Sequence, residues 1–272
     1  MKLVYQQLLK LAPKPFLILG LGLSYRKIMR NNHMLFRKRR MIKNAKKISK
    51  FTQVNFLQME RNFPVGVQLL NGVSYVFGSR IDGDIAEFGT QTASSAAVLA
   101  TAVNLHNLKM GMSKKSIHFF DSFAGLPSSE SDADNESPHV KSGIWSKNKC
   151  VGLTEIEFTK TIGKFLPPAY FRVYPGWFID SVKKIDSNQK FSMINIDCDL
   201  YESTIHALDY LFRNKLVTFG AHIFFDDYFC NNSNPLYGEQ KAWADIVKSF
   251  KIDATNLGNY SAFGNRFLIN NY

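Results

Sequence analysis

Three aspartates stand where two apolar runs end. Asp197 follows Phe191-Ser-Met-Ile-Asn-Ile196, and Asp226-Asp227 follow Ala221-His-Ile-Phe-Phe225. Short apolar runs bounded by polar residues read as buried strands. Neighbouring strands lie about 4.8 Å apart, so these carboxylates would converge. Carboxylates that close repel one another unless they are protonated or bridged by a cation. A hard divalent ion with oxygen ligands resolves the conflict, and Mg²⁺ (or Mn²⁺) suits a site with few carboxylates and several waters. The alternative is that some of the three cap helices or pair with lysines.

A second group of residues suits a nucleoside. Glu87 lies on the apolar run Asp84-Ile-Ala-Glu-Phe88; Gly89 and then small residues open a helix. A glycine there lets a ligand approach backbone N–H groups closely. Asp121 and Ser122 end the run Ser116-Ile-His-Phe-Phe-Asp121. An acid at such a strand end can accept hydrogen bonds from ribose hydroxyls. Gly176 and Trp177 follow Tyr170-Phe-Arg-Val-Tyr174.

These segments need a sheet to bring them together, and the pattern supplies one. Helix-like stretches at 92–108, 153–165, 178–185, 203–215 and 238–250 alternate with strands at 84–88, 116–121, 170–174, 191–196 and 221–225. Two final strands are expected at 252–257 and 262–270. Such alternation predicts an α/β doubly wound sheet with a mostly parallel core. Doubly wound sheets bind ligands at the carboxyl ends of their strands. Residues 128–150 are polar, with SSESDADNES, and read as a mobile loop that closes over the site. Within it His139 is a candidate substrate contact. His206 reads as a packed or surface residue on a helix.

Five segments occur in order: Gly83-Asp-Ile-Ala-Glu-Phe-Gly89, Asp121-Ser-Phe-Ala-Gly-Leu-Pro127, Gly176-Trp-Phe-Ile-Asp-Ser181, Asp197-Cys-Asp-Leu-Tyr-Glu-Ser-Thr204 and Phe225-Asp-Asp-Tyr228. The series resembles the macrocin O-methyltransferase (TylF/MycF-like) family of class I methyltransferases, which use S-adenosylmethionine (SAM). The resemblance implies a Rossmann-like sheet of seven strands, the last one antiparallel, with helices on both faces. It implies O-methylation of a sugar hydroxyl, with a small glycoside as acceptor. It places Mg²⁺ on Asp197, Asp226 and Asp227, with Asp197 also the base. Glu87, Gly89, Asp121 and Ser122 would line the SAM pocket, with Gly176 and Trp177 at a third strand end. The family has more glycine after the first strand. Here the chain reads Gln91-Thr-Ala-Ser-Ser95, so the hydroxyls of Thr92, Ser94 and Ser95 are expected to hold the methionine end of SAM.

Composition excludes several other classes. The chain has 272 residues, 45% hydrophobic and 21% charged, which describes a soluble globular protein. Its three cysteines are widely spaced and include no CxxC pair. That argues against a disulfide framework or thiolate zinc site and for a reducing, cytoplasmic setting. The net charge of +12 is localised: residues 1–50 carry fourteen Lys and Arg and no acid. The rest of the chain holds 20 basic and 22 acidic side chains, a net of −2. The organisation expected is a basic, partly apolar segment over 1–60 and a methyltransferase domain over 61–272.

Phe16-Leu-Ile-Leu-Gly-Leu-Gly-Leu23 is too short to span a bilayer, which needs about 20 apolar residues. No small-residue cleavage site follows it, so it does not read as a signal peptide. It also imitates a dinucleotide loop, but Tyr25 replaces the third glycine and no acid lies about 20 residues on. The segment is expected to be a basic helix packing on the body or on a second subunit of a homo-oligomer. Its alternative is an anionic membrane surface. Two further classes remain: a nucleic-acid methyltransferase whose basic segment tracks phosphates, and a non-catalytic partner protein with a SAM fold. No recognition motif supports specific nucleic-acid binding, and the aspartate set argues against lost chemistry.

Overall fold

The computed structural model describes the backbone of residues 56–272 and the side chains of residues 65–272. The expectations for residues 1–50 lie outside the described residues. Among the described residues no helix is long and apolar enough to cross a membrane.

The described residues open with α1 (Phe56–Gly78) and enter β1 (Asp84–Phe88). It then alternates through α2 (Ser94–Asn107), β2 (Ile117–Asp121), α3 (Asp132–Asn135), α4 (Pro138–Lys141) and α5 (Glu155–Ile162). After β3 (Phe171–Pro175) and α6 (Phe178–Ser181) come β4 (Phe191–Ile196), α7 (Tyr201–Arg213) and β5 (Val217–Phe225). The chain ends with α8 (Gly238–Phe250), β6 (Asp253–Asn259) and β7 (Asn265–Asn271). The seven strands form one sheet in the order β3-β2-β1-β4-β5-β7-β6. The first five pair in parallel, and β7 runs antiparallel to both β5 and β6. This is the doubly wound, mostly parallel sheet that the sequence pattern predicts, with the reversed last strand that the family resemblance implies.

Strand periodicity divides the core. Side chains alternate between faces along a strand, so Ile85 faces one way and Ala86 and Phe88 the other. Ile85, Phe119, Met193 and Phe224 pack under α1, α2 and α5 with Leu69, Val73, Leu99 and Phe158. Ala86, Phe88, Ile194, Ile196 and Phe225 pack under α7 and α8 with Leu208, Leu211, Phe212 and Trp243. Helices therefore cover both faces. Helix α1 lies close to the sheet because Gly72 has no side chain; a Cβ there would fall 2.7 Å from the Phe224 ring. Apart from its inclusion in the domain from residue 61, α1 has no counterpart in the sequence reading. Its apolar residues do not alternate with a partner strand that would mark them.

Strand β5 begins at Val217 rather than 221, its start pairing with Phe191 across a register shift. The polar stretch 128–150 is a larger correction. It holds two capped helical turns, Ser131 capping α3 and Ser137 capping α4. It is packed down by a small cluster in which Trp145 and Leu126 meet Leu200 and Cys230. A polar sequence with few apolar residues concealed this, because the segment is held chiefly by hydrogen bonds to the body.

Candidate functional site

In this strand order the chain reverses direction between β1 and β4. A crevice forms at such a reversal, beyond the carboxyl ends of the strands. A cavity of about 510 Å³ lies there. Its walls include Gly89, Thr90 and Gln91 after β1, Asp121 and Ser122 at β2, and Trp177 and Phe178 after β3. Asp197 and Asp199 after β4 and Asp226 and Asp227 after β5 complete the strand ends. Glu202, Ser203 and His206 of α7 form another wall, and Lys147 and Cys150 reach in from the 128–150 segment.

The β1 end is built around the Gly89–Asp197 contact. Gly89 sits at φ +86°, where other residues are strained, and a Cβ there would overlap the Asp197 carbonyl oxygen. The Gly89 amide donates to Phe120 O at 2.9 Å and the Asp197 amide to Phe88 O at 2.9 Å. Three strand ends are thereby stitched together around the switch point.

Asp121 organises the loop above it. Its Oδ2 accepts from the Thr90 amide at 2.6 Å, the Thr90 hydroxyl at 2.8 Å and the Gln91 amide at 3.2 Å. Its Oδ1 accepts from the Phe123 amide at 2.7 Å. A carboxylate offers about four lone-pair sites, so room for a ribose hydroxyl remains mainly on Oδ1. Ser122 shapes the next turn: its hydroxyl donates to Gly125 O at 2.8 Å and accepts from the Ala124 amide. Gly176, at φ +119°, ties β3 to β2 through its amide and Asp121 O.

Glu87 lies beneath the cavity wall, fully buried on the α1/α2 side of the sheet. Asn195 Nδ2 donates to its Oε1 at 3.0 Å, while its Oε2 has no hydrogen-bond partner. Burial pushes the Glu87 carboxyl up to about 8, and Asp121 and Asp226 add to the rise. Thr92, Ser94 and Ser95 are not brought to the wall. Ala93 takes a left-handed conformation, and the Thr92 and Ser94 hydroxyls lie 3.0 Å from each other. Ser95 lies beside the Glu87 carboxyl.

The aspartates do converge. Burial raises Asp197, with Asp226 and Asp227 adding repulsion. Burial and Asp197 raise Asp199 to about 7. Asp227 is raised by burial and by Asp199, and Asp226 by burial. Tyr260 donates its hydroxyl to Asp226 Oδ1 at 3.1 Å, and the Cys230 thiol to Asp227 Oδ1 at 3.2 Å. Among the described residues no lysine or arginine forms an ion pair with this group. The donor chemistry, uncompensated carboxylate oxygens, fits a hard divalent cation. As the side chains stand, no three His, Cys, Asp or Glu among the described residues form a metal-ligand set.

Four contributors escaped the sequence reading. Asp199 is the second acid of Asp197-Cys-Asp199, a repeat that was visible. His206, read as a packed or surface histidine, lies on the cavity wall, because α7 starts at the site and presents Glu202 and His206 one turn apart. Glu239, on α8, is wholly buried and accepts from the Cys198 amide at 3.3 Å and the Asp227 amide at 3.0 Å. Nothing in the sequence marks it. Asp134 accepts from the amides of Tyr201 at 2.7 Å and Glu202 at 3.0 Å, capping α7 from outside. His139, the candidate substrate contact, is not on the wall. It is held by Asn231, whose Oδ1 accepts from the His139 amide at 3.0 Å.

The model of the macrocin O-methyltransferase (TylF) family matches residues 67–256, most of the described chain. The chain belongs to that family. The matched span begins within α1, ends within β6 and includes every residue of the cavity wall. A Streptomyces olivaceus protein, 8-demethyl-8-(2,3-dimethoxy-α-L-rhamnosyl)-tetracenomycin-C 4′-O-methyltransferase, is 25% identical over 169 residues. The match covers 60% of this chain and 61% of that relative, less than two thirds of its length. Among solved structures the fold is similar to the O-methyltransferase NovP, with a TM-score of 0.63 at 20% identity over 76% of this chain and 80% of that one. It is also similar to the calicheamicin methyltransferase CalS11, with a TM-score of 0.59 at 16% identity over 83% and 91% of the chains.

Proposed function

We propose that this family member transfers the methyl group of SAM to a sugar hydroxyl of a small glycosylated metabolite. The convergence of Asp197, Asp226 and Asp227 beside the loops after β1 and β2, within one cavity at the switch point, carries the reading. The name of the Streptomyces relative, a methyltransferase for a rhamnosyl natural product, supports the sugar acceptor.

SAM is placed against Gly89, Thr90, Gln91, Asp121 and Ser122, with Trp177 and Phe178 flanking it. Glu87, two residues before Gly89, keeps one buried carboxylate oxygen without a hydrogen-bond partner. The acceptor is placed over the aspartates. Its hydroxyl oxygen forms a bond to the methyl carbon as the S–CH₃ bond breaks, and the bonding pair passes to sulfur, leaving S-adenosylhomocysteine. Asp197 accepts the hydroxyl proton, and burial, by raising its pKa, makes it a better base than an exposed aspartate. Holding both reactants in one crevice supplies the in-line geometry. The segment 126–150 walls the site off from water.

Asp197, Asp226 and Asp227 would hold Mg²⁺ or Mn²⁺. When bound, such an ion stabilises the acceptor oxygen as it loses its proton. The cavity wall bears six carboxylates and one lysine, Lys147. That balance suits a cationic donor and a neutral acceptor and repels a phosphate backbone, which disfavours nucleic acid as substrate.

The test is methyl transfer from radiolabelled SAM to rhamnosides and other glycosides, with RNA and DNA as comparison acceptors. Label in a glycoside is expected. Label confined to nucleic acid would overturn the reading.

A further inference from the structure

The two loops that carry the proposed chemistry come from different strands, and one side chain joins them. Glu239 sits in the first turn of α8 with none of its surface exposed. One oxygen accepts from the Cys198 amide, directly after Asp197, and the other from the Asp227 amide. Helix α8 also begins without a side-chain cap of its own, so Glu239 serves neighbouring loops rather than its own helix end.

A buried carboxylate in this place is costly. It lies among Asp197 and Asp227, which raise it further beyond what burial does. A group that only filled space would be more stable as an apolar residue. What a carboxylate provides here is two acceptor atoms at a fixed separation, one for each loop. Cys198 and Asp227 are the residues whose backbone direction sets where the Asp197 and Asp227 side chains point.

We propose that Glu239 is a positioning residue: it clamps the loops after β4 and β5 in the register that aims Asp197 and Asp227 at one point. This rests on the reading of those aspartates as the reactive and cation-holding group. The residues that orient ligands from behind are commonly worth about 10–100-fold in metal affinity.

The test compares the full chain with Glu239→Gln and Glu239→Ala. Glutamine keeps the shape and one acceptor oxygen but turns an NH₂ toward the other amide. Mn²⁺ binding and SAM binding are each measured by calorimetry, and amide hydrogen exchange is followed in peptides spanning 196–200 and 226–230. Mn²⁺ affinity is expected to fall about tenfold or more in both variants, with SAM affinity within twofold of the original. Exchange should quicken at the Cys198 and Asp227 amides and not along β1. A general loss of structure would weaken SAM and Mn²⁺ together. If alanine prevents folding, the glutamine variant decides. Unchanged Mn²⁺ affinity and unchanged exchange in a folded variant would overturn the clamp. If the original chain binds no Mn²⁺, the cation assignment falls, and the exchange at those two amides still decides for or against the clamp.

Discussion

Asp134 caps helix α7 at Tyr201, 2.7 Å from carboxylate oxygen to amide, although the two residues are 67 positions apart. The cap is reciprocated. Glu202 Oε2 accepts from the Glu130 amide at 3.1 Å, and the Ser129 hydroxyl lies 2.7 Å from both Asp134 Oδ2 and Glu202 Oε2. The 128–150 segment is thus fastened to the helix that opens at the active site.

Removing that fastening should free the segment. Asp134→Ala leaves the Tyr201 and Glu202 amides without a partner and is expected to cost about 1 kcal/mol, the usual worth of a cap. Limited proteolysis should then cut within 128–147 faster than in the original chain. Equal cleavage rates in a folded variant would show that the remaining bonds to Glu202 and Asn231 and the small apolar cluster around Trp145 hold the segment without Asp134.

Asp121 is expected to matter twice, by receiving the ribose and by holding the Thr90–Gln91 loop. Asp121→Ala should weaken SAM binding by roughly 1–3 kcal/mol, the range for a charge-assisted hydrogen bond. Calorimetry on the folded variant checks this. Unchanged SAM affinity would remove SAM from this loop.

Much of this architecture was legible in the sequence, for identifiable reasons. Strand–helix alternation is written in apolar periodicity, and α8 and α5 fall within the stretches where the pattern puts helices. The strand-end aspartates were legible because each directly follows an apolar run that reads as a buried strand. Glu239 and Asp134 were not, because both act on backbone amides far along the chain, and an amide has no sequence signature. The mutual placement of the Thr92 and Ser94 hydroxyls was not legible for a related reason: the left-handed turn at Ala93 is not a residue type.

The acid cluster fixes the pH response. Glu87, at about 8, and Asp199, at about 7, titrate in the fold above their ordinary values of 4.5 and 3.8. Asp197, Asp227 and Glu239 are shifted the same way. Above about pH 6.5, where His222, lowered to about 3 by burial, is neutral in both states, these acids leave the folded chain with more bound protons than the unfolded chain. Stability therefore falls as pH rises from about 6.5 to 8. The melting temperature of the metal-free protein should drop across that window, and millimolar Mg²⁺ should reduce the drop. A melting temperature that rises through the same window would show that the cluster is neutralised in another way.

Asp197 is expected to take the proton of the acceptor hydroxyl, with a divalent cation held by Asp197, Asp226 and Asp227. Asp197→Asn keeps the shape of the side chain and removes both the base and one ligand charge. Single-turnover methyl transfer from labelled SAM to a glycoside acceptor, measured in Mg²⁺ for the original chain and this variant, tests this assignment. A loss of at least about 10²-fold, the usual worth of a general base, is expected, with SAM affinity retained. A comparable loss is expected for the original chain in EDTA, restored by Mg²⁺ or Mn²⁺. Undiminished transfer by Asp197→Asn, or by metal-free protein in EDTA, would contradict this assignment.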